Sequence, residues 1–112
     1  MPFYPTPGRD DGYDITDFLN VDERLGDLGR FVEFLRMAKD RGMRVIIDLV
    51  VNHTSDRHPW FRKARASRDS VFHDYYVWRD EKPKKEAASV FPGEETSVWS
   101  YEPKVGRYYL HN

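Results

Sequence analysis

Two short stretches concentrate the side chains that could do chemistry in this chain. In "RDDGYD", residues 9–14, Asp10, Asp11 and Asp14 stand beside the ring of Tyr13. Carboxylate oxygens accept hydrogen bonds from sugar hydroxyls, and an aromatic ring stacks on the C–H face of a pyranose. The same residues also make ordinary turns, since Asp-Asp-Gly is common turn chemistry. In "DLVVNHTSDRH", residues 48–58, Asp48 interrupts an apolar run that ends in Asn52 and His53. An imidazole there is either a packing group satisfied by hydrogen bonds or a ligand-binding group. Asn52 offers a neutral oxygen of the kind calcium accepts, but calcium takes six or more oxygens drawn from several segments. His53, Asp56 and His58 do not match the paired histidines of a zinc site, which argues against zinc.

The elements that must position these residues are legible nearby. "VIIDLVV", residues 45–51, is apolar at every position but Asp48. Such a run predicts a strand over 44–51 that is buried on both faces, as in a parallel sheet. Before it, Leu28, Phe31, Val32, Leu35 and Ala38 recur at helical steps, with Phe34 widening the face. Asp27 can cap this helix, Lys39 and Arg41 suit its C-terminal dipole, and Gly42 fits its stop. Helix, short turn and buried strand form the αβ step of an α/β fold. Ligand sites in such folds lie at the C-terminal ends of strands, where Asn52 and His53 fall. Asp48 shares a face with Asn52 and sits ~13 Å deeper along the strand. A buried carboxylate there requires a cationic partner, expected from another element.

The rest reads as irregular structure. Residues 2–14 hold too many prolines and glycines for a helix or central strand, and so predict a rim loop following an earlier strand. Residues 15–26 are irregular. Pro59 fits the first position of a short helix. "DYYVW" is a short aromatic segment, "RDEKPKKEAAS" a solvated loop, and "SVWSYEPKVGRYYLHN" a hairpin. Both ends look cut, so a piece of a longer βαβ array is expected.

Bulk properties narrow the partners. The net charge is −1, which argues against nucleic acid or an anionic membrane. No run approaches the ~20 apolar residues of a membrane span, and no signal pattern opens the chain, pointing to the cytoplasm. The chain has no cysteine, so it has no disulfide framework. Oligomeric state is open.

Taken together, "PFYPTPGRDDGYDITDF" and "LGDLGRFVEFLRMAKDRGMRVIIDLVVNHTSDRHPWF" resemble the α-amylase superfamily of glycoside hydrolases and transglycosidases. "DLVVNH" is similar to the signature at the end of its third barrel strand, and "DDGYD" to the loop after its second. "HPWF", "DYYVW", "FPGEETSVWSY" and "GRYYLHN" resemble its trehalose-synthase branch and the related α-glucosidases. The resemblance implies part of a (β/α)8 TIM barrel in residues 1–53 and part of an inserted domain B in 54–112. It implies that Asp10, Tyr13 and His53 bind the sugar next to the cleaved bond. It implies that Asp48 supports the site by pairing with an arginine of a later strand, and that Asn52 binds calcium in many members. It implies no organic cofactor, and substrates such as maltose, trehalose or another α-glucoside. The nucleophile and the acid/base carboxylate of the family belong to later strands, so no catalytic residue is assigned in this chain. The activity implied is maltose–trehalose interconversion by intramolecular glucosyl transfer, with α-glucosidase or α-amylase-type hydrolysis as the alternative. A different class also stands open: a non-catalytic carbohydrate-binding fragment, with Trp60, Trp78 and Trp99 forming a stacking face.

Overall fold

The computed structural model describes residues 1–84 and 97–111. Residues 85–89 of the polar stretch 79–89 and the "FPGEET" segment therefore lie outside the described residues. The chain forms two compact units, Met1–His58 and Pro59–Asn112. No helix among the described residues is long and apolar enough to cross a membrane.

In the first unit, helix α1 spans Leu28–Asp40. Asp27 caps it as the sequence predicts: its backbone is extended and its carboxylate accepts from the Arg30 amide at 2.8 Å. The helix ends where Gly42 takes the left-handed conformation at φ 71°. Phe31 stacks on Phe3 at 4.4 Å, and Ala38 is buried. Ahead of the helix, the loop is tied down by the backbone bonds Thr16 N to Pro5 O (2.9 Å) and Asp22 N to Phe3 O (2.8 Å). Ile15 is fully buried beneath it.

The segment 44–51 departs from the expectation. It is assigned to no strand, and no strand among the described residues pairs with it. A strand exists only where a neighbour supplies its hydrogen bonds. Without one, Ile46 is 94% exposed and Leu49 70%, and only Val50 is buried. The expected burial of Asp48 fails for the same reason: its carboxylate is exposed here. Leu28, Val32 and Phe34 of α1 are likewise exposed, so the apolar face predicted for that helix is only partly covered.

Asp22 is the buried charge of this unit. Arg24 grips it with two bonds, Nε to Oδ1 at 2.8 Å and Nη2 to Oδ2 at 2.9 Å, and the Arg24 and Thr6 amides add two more. The Arg24 guanidinium bond, helped by the Arg24 amide, holds the carboxyl far below the usual range, against the pull of burial. A depressed native value means the contribution is complete above the unfolded carboxyl value, about 3.9, and is lost as pH falls through that value toward the native one. Asp22→Asn should therefore cost about 1–2 kcal/mol at neutral pH, since the Arg24 end is largely exposed. The cost should shrink as pH falls below about 4. Urea unfolding of both proteins along a pH series measures this.

In the second unit, helix α2 spans Pro59–Ala66, opening on proline as predicted. A short 3-10 turn covers His73–Tyr75. Strands β1 (Trp78–Arg79), β2 (Trp99–Glu102) and β3 (Arg107–Leu110) form an antiparallel sheet in the order β1-β3-β2. The predicted hairpin is β2–β3, in register Tyr101 opposite Tyr108, with Gly106 at φ 64° in its turn. "DYYVW" contributes the third strand. Phe61 is the centre of the core, with Tyr76 and Tyr109 each at 5.0 Å and Trp78 at 6.3 Å. Trp78 stacks on the buried His73 at 4.5 Å and donates to the His73 carbonyl. Arg65 pairs with the buried Glu102.

This arrangement removes the stacking face drawn from Trp60, Trp78 and Trp99. Trp78 sits opposite Tyr109 and Trp99 opposite Leu110. Those two partners are adjacent on β3, so the two tryptophans lie on opposite faces of the sheet. Trp60 instead clusters with Phe72 and Tyr75.

Candidate functional site

The loop 9–14 folds into a tight turn. Asp11 (φ 48°) and Gly12 (φ 95°) are both left-handed, the signature of a type I′ turn, and the Tyr13 amide closes it on the Asp10 carbonyl at 2.8 Å. Asp-Gly is the pair such a turn favours, so the turn reading of this stretch holds. The turn also presents Asp10 and Tyr13 from a fixed base.

The predicted site residues are brought together within the first unit. The Tyr13 phenol donates to Asp48 Oδ2 at 3.0 Å. The Tyr13 carbonyl is 3.1 Å from His53 Nε2. A carbonyl only accepts, so Nε2 carries the proton. Nδ1 lies 3.4 Å from the Asn52 side-chain amide nitrogen, which only donates, so Nδ1 is the acceptor of that pair. Asp10, Asp48 and Asn52 are exposed, while Tyr13 and His53 are half-buried. The hydrogen bond to Asp48, and then its charge, push the Tyr13 phenol above its ordinary value, with Asp10 adding to the same effect. A phenol held protonated beside a carboxylate is a donor and a ring edge, suited to binding rather than to proton transfer at neutral pH.

The remaining candidates are placed differently. Asp56 turns to Arg9, at 3.4 Å. His58 is buried 5.7 Å from Phe18, and its burial lowers the ring below the ordinary histidine value despite Asp17. No group of three His, Cys, Asp or Glu that could hold a metal ion occurs among the described residues. Asn52 alone offers one oxygen, short of the six or more that calcium takes.

Thr6 and Arg9 were not singled out in the sequence, and Asp14 stood there only as one of the loop's carboxylates. The Asp14 carboxylate accepts from the Thr6 hydroxyl (2.6 Å) and from the Arg9 (3.1 Å) and Asp10 (3.3 Å) amides. Burial pulls the Asp14 carboxyl upward, but these bonds outweigh it and hold it below its ordinary value. Thr6 and Arg9 read as generic loop polarity, and Asp14 as a carboxylate beside the Tyr13 ring rather than as a clamp.

The family model for the alpha-amylase catalytic domain matches residues 1–112. The chain belongs to the alpha-amylase family. This alpha-amylase-family chain is 43% identical to an oligo-1,6-glucosidase of Parageobacillus thermoglucosidasius, covering 98% of the chain and 20% of that protein. It is 42% identical to a trehalose synthase of Pimelobacter sp. (strain R48), over 98% of the chain and 19% of that protein. The crystal structure of a trehalose-6-phosphate hydrolase of Bacillus licheniformis superposes with a TM-score of 0.89 at 41% identity, over 98% of the chain and 20% of that structure. The chain thus spans about one-fifth of the length of the relatives it matches.

Proposed function

We propose that this chain supplies the sugar-binding wall of an enzyme that breaks an α-glucosidic bond and transfers the glucosyl group. The observation that carries the reading is the bonded cluster at the Asp-Gly turn, in which Tyr13 links Asp48 and His53. In this reading residues 1–53 are the loop after the second strand, second helix and third strand of a (β/α)8 barrel. Residues 54–112 belong to domain B. The Asp10 carboxylate accepts from glucosyl hydroxyls, Tyr13 stacks on the sugar ring, and the His53 ring bonds the same glucose. Asp48 faces an arginine of a later strand and keeps Tyr13 oriented. Asn52 is at most one calcium ligand, the others lying outside this chain.

The bond cleavage itself needs two carboxylates about 5–5.5 Å apart, one a nucleophile and one an acid/base. Neither role is given to an acidic residue here. The purified 112-residue chain is therefore expected to turn over no maltose. The complete polypeptide is expected to interconvert maltose and trehalose, as the trehalose synthase relative's name describes for that protein. The oligo-1,6-glucosidase relative is equally similar, which favours a hydrolytic reading to the same degree. Product analysis decides. Trehalose accumulating from maltose supports glucosyl transfer within the site. Glucose alone supports hydrolysis. No change in any α-glucoside removes both.

A further inference from the structure

We infer that Asp14 is a positioning residue that sets Asp10 and Tyr13 in their relative places by clamping the base of the Asp-Gly turn to Thr6. The inference rests on the reading of Asp10 and Tyr13 as sugar contacts.

The clamp is continuous. Asp14 Oδ1 receives both the Thr6 hydroxyl at 2.6 Å and the Asp10 amide at 3.3 Å, and Oδ2 receives the Arg9 amide at 3.1 Å. Asp14 is also the residue after Tyr13, so one carboxylate grips the chain on both sides of the turn. Thr6 is anchored in turn: its amide donates to the buried Asp22, and its hydroxyl accepts from the Gly8 amide at 3.0 Å. The Arg9 side chain reaches Asp56, tying the same loop to the segment that follows His53. Nothing else among the described contacts fixes the amide of Asp10. Without Asp14, only the single bond from the Tyr13 amide to the Asp10 carbonyl would hold the turn closed.

Asparagine cannot replace this carboxylate. One of its two ends is an NH2, which would face either the Arg9 amide or the Asp10 amide, donor against donor. The Thr6 hydroxyl offers the matching control, because serine keeps it and valine removes it.

The test uses the complete polypeptide with p-nitrophenyl α-glucoside as probe. Asp14→Asn and Thr6→Val should each lower kcat/KM about 10–100-fold, mostly through KM. Together they should do little more than either alone, and Thr6→Ser should restore activity. Asp27→Ala, which removes only the α1 cap, should lower Tm without changing KM. If the losses add, or if KM follows Tm across all variants including Asp27→Ala, the inference is overturned. Should the wild type cleave no α-glucoside, the proposed function fails separately. The tyrosine NMR signal of Tyr13, assigned with Tyr13→Phe, then decides. It should shift in Asp14→Asn and Thr6→Val and stay put in Asp27→Ala; an unmoved signal in the first two overturns the clamp.

Discussion

Replacing Tyr13 with alanine in the complete polypeptide should lower kcat/KM for an α-glucoside about 100-fold or more. Three things vanish at once: the stacking ring, the phenol bond to Asp48, and the shape that keeps the backbone carbonyl against His53. Tyr13→Phe separates them. It keeps the ring and loses only a hydrogen bond to a charged acceptor, ~1.5 kcal/mol, or about tenfold. The raised phenol value also predicts how pH acts. Tyr13 stays protonated beyond the ordinary tyrosine value of ~10, so this residue should impose no alkaline limit on activity below that value. Steady-state kinetics of the two variants, with thermal melts to confirm folding, check this. Equal losses for phenylalanine and alanine would contradict a stacking role.

The second large effect is on stability. Phe61→Ala should destabilise the second unit by ~3–5 kcal/mol. Phe61 is 4% exposed, and three aromatic rings and the Arg65 guanidinium, 5.3 Å over its face, surround it. Their contacts would be lost to a cavity too enclosed to collapse fully. Its neighbour Trp60 is 38% exposed. Trp60→Ala should cost less, roughly 1 kcal/mol, because its ring is only partly covered by Phe72 and Tyr75. Urea unfolding monitored by near-ultraviolet circular dichroism, which reports the packed rings, measures both.

Local elements were legible in the sequence where a local rule decides them. Asp27 caps because its carboxylate reaches the Arg30 amide, whatever else surrounds it. Pro59 opens α2, Gly42 ends α1 and Asp11-Gly12 turns, all through backbone preferences carried by single residues. The strand over 44–51 forms no ladder among the described residues, because a strand is a relation between segments. "VIIDLVV" has the composition of one, but composition cannot supply a ladder. β1 was missed for the opposite reason: Trp78–Arg79 is too short to show alternation, and only β3 beside it makes it a strand. The stacking face of three tryptophans failed on register, which a one-residue offset reverses. Tyr13, Asp48 and His53 stood out by residue type, their roles came only from the family resemblance, and the structure joins them by hydrogen bonds. The clamping part of Asp14 was not legible, because it is played through backbone amides that a sequence does not display.

The most direct test of the account is a crystal structure of the complete polypeptide soaked with glucose. The account predicts a glucose ring lying over Tyr13, its hydroxyls within hydrogen-bond distance of the Asp10 carboxylate and the His53 ring. Glucose bound elsewhere in the catalytic domain, with Asp10, Tyr13 and His53 making no contact to it, would contradict the account.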